Sequence, residues 1–111
     1  MTSPVREWWH QRLTAIALIP LTIWLLIFIN KALHQPYAEI MAWLSSAFNS
    51  VVIGAWLILV LYHAALGIQV VLEDYVSTLN LRHRLIWISR GLFFLIGCIG
   101  IAALIFIVSG Q

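Results

Sequence analysis

The chain has 111 residues, of which 63% are hydrophobic and only 9% charged, with a formal net charge of +2. A composition so apolar and so sparsely charged excludes a water-soluble globular domain and marks an integral membrane protein. Membrane topology accounts for the small basic excess, so nucleic-acid binding is not expected.

In chain order, Arg6 and Arg12 precede the first apolar run, an arrangement shared with signal peptides. The run ends in Asn30-Lys31 with no small-residue cleavage pattern, so it is expected to stay in the protein as a span over residues 13–31, with Lys31 snorkelling from its end. Pro20, together with Thr14 and Thr22, is expected to bend this helix, and packing roles are assigned to these residues. Residues 36–48 read as a short interfacial segment: Pro36 can begin a helix, Trp43 suits the interface, and Ser45 and Ser46 are polar.

The uncharged stretch between Glu39 and Glu73 exceeds the ~20 residues a bilayer requires. It holds the second span, over residues 50–72, as well as part of the interfacial segment. Ser46, Ser50 and Gly54 recur at four-residue spacing near its start, and Gly91, Gly97 and Gly100 lie in the third span, residues 86–108. Small residues so placed allow close helix approach. Arg90 falls in the first turns of the third span, from which it can reach the headgroups. Cys98, the single cysteine, is expected to be a small packing residue and can form no internal disulfide. The expected fold is all-α: one membrane-anchor domain over residues 1–111, with three transmembrane helices forming half of a helical bundle, the other half coming from a partner subunit.

Three spans put the termini on opposite sides. Arg6, Arg12, Arg82, Arg84 and Arg90 fall on the N-terminal side, against Lys31 alone on the other. The positive-inside rule places the N-terminus in the cytoplasm for a bacterial inner membrane, or in the matrix for a mitochondrial one. Trp8, Trp9, Tyr75 and Trp87 fit the aromatic belt on that side; Tyr37 and Trp43 fit the other.

The polar residues within the second span carry the functional signal. His63 precedes Asp74 by eleven residues; the offset closes to roughly 20° around a helix and about 16 Å along it, so both share one face. An ionisable group at membrane depth is costly and aims at a bundle interior. His63 either hydrogen-bonds a neighbouring helix or ligates a cofactor. Gly67, one turn on, would let a flat macrocycle lie against the backbone, as an imidazole-bound haem requires. His10, His34 and His83 fall at membrane surfaces and Met1 and Met41 outside the spans, so a second axial ligand is expected from a partner subunit. Glu73 and Asp74 end the helix where its dipole disfavours negative charge. Arg12, Arg82 and Arg84 could compensate them, or the acids could deliver protons beside a redox site. Tyr75 is either a belt aromatic or a phenol that hydrogen-bonds a quinone carbonyl. Arg12 suits topology or a haem propionate.

The run from His63 through Gly67 to Asp74-Tyr75, an H-x3-G-x6-D-Y string, resembles the signature of the small hydrophobic membrane-anchor subunit of succinate dehydrogenase, respiratory complex II. Arg12-Leu13-Thr14-Ala15 and Ser46-Ala47-Phe48 extend the resemblance, and length and three-span topology agree with it. That enzyme has a second, companion membrane subunit, which also carries an H-x3-G helix. Its Ser-x2-His-Arg-x-Thr-Gly string is absent; His10-Gln11-Arg12-Leu13-Thr14-Ala15 stands in its place. The resemblance implies a non-catalytic anchor that, with the companion membrane subunit, holds an iron–sulfur subunit and a flavoprotein subunit at the membrane. It implies His63 as an axial ligand of a haem b shared with that companion, Arg12 near a propionate, Tyr75 bonded to ubiquinone, and Asp74 supporting that site. Alternative readings are an anchor of another quinone-linked enzyme such as fumarate reductase, or a small proton-conducting channel or transporter.

Overall fold

A computed structural model describes residues 4–110; Met1 lies outside them. The chain forms four helices: α1 over Pro4–His34, α2 over Tyr37–Ser45, α3 over Ala47–Tyr75 and α4 over Leu79–Val108. Helices α1, α3 and α4 are each long and apolar enough to cross a membrane. The expected spans 13–31, 50–72 and 86–108 fall inside them, and each helix runs past its span at one or both ends. At α1 the extension carries Glu7, His10, Gln11 and Arg12 on regular helix. Backbone groups without water must be satisfied within the segment, so helix persists through the interfacial zone wherever no cap stops it.

The stops are local. Pro36 precedes α2 in an extended conformation and its carbonyl accepts the Glu39 and Ile40 N–H groups. Proline therefore acts as the cap and not as the first helical residue. Ser46 ends α2 and caps α3, its hydroxyl accepting the Asn49 N–H at 3.3 Å. Only residues 76–78 connect α3 to α4, which makes the two antiparallel neighbours.

Helix α3 is central, packed against α1 on one side and α4 on the other. Apolar burial contributes little to this packing, because lipid tails are as apolar as leucine. Among the described residues the buried hydrophobic side chains are only Leu18, Leu66 and Ile86. Close approach replaces it at the α3–α4 contact. A Cβ on Gly97 would lie 3.2 Å from a Leu61 methyl, and one on Gly100 would overlap Leu57. Gly54 faces Leu104 and Ile101 in the same seam. Gly54, Gly97 and Gly100 thus serve contacts within this chain, whereas Gly91 has open space around it. Trp43 of α2 stacks on Trp24 and Phe28 of α1, with centroids 4.9 and 4.7 Å apart, and so pins the short helix under the bundle.

Candidate functional site: a polar seam between α1, α3 and α4

His63 lies in the middle of α3, half-buried against α1. Its Nδ1 is 2.9 Å from Oγ1 of Thr14, a residue only 7% exposed. The Thr14 hydroxyl also reaches the carbonyl oxygens of His10 and Gln11, at 2.7 and 3.0 Å. Next to this pair, His10 Nδ1 is 2.6 Å from the Tyr62 hydroxyl. Two consecutive residues of α3 are therefore held by one turn of α1.

The two readings of His63 occupy different ring nitrogens. Nδ1 makes the neighbouring-helix bond, while Nε2 makes no hydrogen bond among the described residues. Thr14, assigned a packing role from sequence, holds the imidazole. Thr22 similarly accepts a bond from Trp56 Nε1 at 3.1 Å. Threonine in an apolar helix can bond its own i−4 carbonyl and still meet a facing side chain through a lone pair; pairing Thr14 with the histidine of the next span was the available signal.

Nearly two turns further along α3 lies a second polar group, centred on Gln69, which is 1% exposed. Its amide nitrogen donates to Glu7 Oε2 at 3.1 Å and Oε1 at 3.3 Å, and is 3.5 Å from Glu73 Oε2. Its carbonyl accepts from Arg90 Nη2 at 2.6 Å. Gln69 and Glu7 are absent from the sequence-based candidates, although a glutamine within an apolar span is itself a signal for interhelical bonding. Arg90 therefore has a partner within the chain, and its guanidinium also lies 5.4 Å from the Trp87 ring centroid.

Between α1 and α3 runs a groove of about 700 Å³ lined by Glu7, Trp8, Gln11, Leu66, Gly67 and Glu73 among others. Gly67 borders it, and its bare backbone is partly covered: Gln11 Nε2 stands 3.5 Å from where a Cβ would be. Gln11 Oε1 is buried without a hydrogen-bond partner.

Asp74 and Tyr75 close α3 and are exposed, Tyr75 at 83%. Helical rise places Tyr75 about 18 Å from His63 along the axis. The expected compensation of the two acids takes another form: Arg82 Nη1 reaches the Glu73 backbone carbonyl at 3.3 Å, countering the helix terminus and not a carboxylate. Arg12 sits over the Trp8 ring, 4.9 Å from its centroid. Two residues separate it from Thr14, about 3 Å along α1 but roughly 200° around it, so Arg12 and His63 share a level without sharing a face. Cys98 is exposed on α4 rather than packed inside the chain.

The sequence matches the succinate dehydrogenase/fumarate reductase transmembrane subunit family over residues 2–107. It is 38% identical over 89 residues to a succinate dehydrogenase hydrophobic membrane anchor subunit of Rickettsia conorii, covering 79% of this chain and 71% of that one. Proteins of the same description from Rickettsia felis and Rickettsia bellii are 40% and 41% identical, with 79% and 76% of this chain and 73% and 67% of theirs covered. A three-span helical chain with this match along nearly its whole length belongs to the succinate dehydrogenase/fumarate reductase transmembrane subunit family.

Proposed function

We propose that the chain is a membrane-anchor and electron-transfer subunit of succinate dehydrogenase, giving one axial ligand to a b-type haem and forming part of the ubiquinone-reduction site. The observation that carries this reading is the imidazole of His63, held at Nδ1 by Thr14 while Nε2 makes no hydrogen bond among the described residues. A neutral imidazole anchored through one nitrogen is the donor that a haem iron takes. The residues present therefore fit the group. When bound, a haem supplies one-electron redox capacity within the membrane.

His63 would hold the haem from α3, and a second ligand would come from the companion membrane subunit. His10 is engaged with Tyr62, and His34 with the Asn30 carbonyl. Arg12, with its guanidinium resting on Trp8, is the residue offered to a propionate. Tyr75 can donate its phenolic hydrogen to a quinone carbonyl, and Asp74 beside it can hold charge and pass a proton at that surface.

On this reading the chain performs no succinate chemistry alone. Its quinone end faces the iron–sulfur and flavoprotein subunits, so the N-terminus lies in the cytoplasm for a bacterial inner membrane or in the matrix for a mitochondrial one. The arginine distribution supports that orientation. Exposed apolar side chains along α1 and α4 leave faces for lipid and for the partner that completes the bundle. The relatives' descriptions favour succinate dehydrogenase over fumarate reductase, and family membership favours an anchor over a proton channel.

The test is an affinity purification from membranes with a visible spectrum. Two soluble subunits should co-purify, and the complex should show a bis-histidine b-type haem that His63→Ala removes or perturbs. An unchanged spectrum in that variant rejects the ligand assignment, and isolation of the chain without soluble subunits rejects the anchor reading.

A further inference from the structure

We infer that Thr14 is the positioning residue for His63, fixing the imidazole as the Nδ1–H tautomer and presenting the Nε2 lone pair for ligation. The inference rests on the haem reading above and assigns a role within it to a residue of a different helix.

The donors and acceptors around Thr14 decide the tautomer. A threonine hydroxyl has one hydrogen to donate and two lone pairs to accept with. Two of the three groups around Thr14 Oγ1, the carbonyl oxygens of His10 and Gln11, can only accept, and they lie at 2.7 and 3.0 Å. The hydroxyl hydrogen is directed to them, as in the usual back-bond of a helical threonine. What remains for the third neighbour is a lone pair. His63 Nδ1, at 2.9 Å, must then be the donor, which puts a hydrogen on Nδ1 and, in the neutral ring that ligation requires, the lone pair on Nε2. Residue 14 is among the least exposed of the described residues, which limits access of water to its hydroxyl. The backbone on which Thr14 is fixed belongs to the same turn whose His10 ring holds Tyr62, and this restrains the α1–α3 register on both sides of the imidazole.

A ligand whose distal N–H is hydrogen-bonded is more basic and donates more strongly to iron, which favours the oxidised state. Fixing the ring also fixes the azimuth at which it would meet the macrocycle. Loss of the Thr14 hydroxyl is therefore expected to raise the haem midpoint potential and to disperse ring orientation without removing the ligand.

The experiment uses the complete complex from membranes carrying Thr14→Val, Thr14→Ser or His63→Ala. Reduced-minus-oxidised spectra are followed in a redox titration, and low-spin ferric electron paramagnetic resonance reports ring orientation. Thr14→Val should shift the potential upward and broaden or move the low-spin signal, while Thr14→Ser, which keeps the hydroxyl, should restore both. Wild-type potential and signal in a haem-loaded Thr14→Val complex overturn the positioning role. If Thr14→Val loses haem or fails to assemble, Thr14→Ala is read in its place by the same criteria. A Thr14→Ser complex as altered as the variants without a hydroxyl also overturns it, because shape rather than hydrogen bonding would then be at issue. The underlying haem reading fails separately, through a wild-type complex without haem or a His63→Ala complex with an unaltered spectrum.

Discussion

Arg90 donates to Gln69 across 2.6 Å, and the same Gln69 donates to Glu7, so one buried amide joins α4, α3 and α1. Removing the amide strands a guanidinium on one side and a carboxylate on the other. Leaving a buried polar group short of partners costs about 1–3 kcal/mol, and because Glu7 and Arg90 are only half-buried that range bounds the combined loss. Gln69→Leu should lower the thermal stability of the detergent-solubilised complex by an amount in that range. The double variant Gln69→Leu with Arg90→Met should lose less than the two single losses added together, because the stranded guanidinium is gone. Strict additivity in thermal unfolding would show that the two residues do not act as a pair.

The α3–α4 seam supplies a second, purely steric prediction. Gly100→Ala places a methyl into Leu57, and Gly91→Ala adds one to open space. Overpacking of this kind costs roughly 1–3 kcal/mol, whereas an alanine in an unobstructed helix position is neutral or favourable by up to about 1 kcal/mol. Gly100→Ala should therefore destabilise the complex and Gly91→Ala should not. Because the obstructing atoms are the end of a leucine side chain, Leu57→Ala should recover part of the Gly100→Ala loss in the same unfolding assay.

These two contacts also show which parts of the structure were legible in the sequence. Span positions followed from hydropathy and length, since a bilayer imposes a fixed apolar run; the choice between α3 and an outside partner for Gly97 and Gly100 did not. Small-residue spacing specifies a close approach but carries no information about the facing surface. His63 stood out because an ionisable side chain in an apolar run is rare. Thr14 did not, because it becomes informative only when the antiparallel register places it opposite His63; Gln69 signals an interhelical bond by its polarity alone, but only the register names Glu7 as its partner. Arg90 shows the same dependence: its bond to Gln69 becomes visible only when α3 and α4 are placed side by side.

Arg12 tests the proposed propionate contact. Its guanidinium makes a cation–π contact with Trp8, so Arg12→Gln removes charge with modest effect on folding. A hydrogen bond to a charged group is worth about 1.5–3 kcal/mol, equivalent to roughly a tenfold or greater loss of haem retention. Haem per complex, measured after extended dilution, should fall in Arg12→Gln but less than in His63→Ala. Retention equal to wild type would remove Arg12 from the haem site.

Tyr75 and Asp74 offer the cleanest separation of site chemistry from folding. Tyr75 is 83% exposed and Asp74 is exposed as well, and substitutions at such positions change stability by about 0.5 kcal/mol or less. Tyr75→Phe removes one hydroxyl and Asp74→Asn one charge, each with nearly unchanged shape. If the pair binds and protonates ubiquinone, loss of a hydrogen bond worth about 1–2 kcal/mol should lower succinate-driven quinone reduction roughly 5- to 30-fold. Succinate oxidation by an artificial acceptor should stay near wild type in the same preparations, because those electrons leave before reaching this chain. Parallel loss of both activities would place the defect in assembly, and unchanged quinone reduction in both variants would place the quinone away from the end of α3.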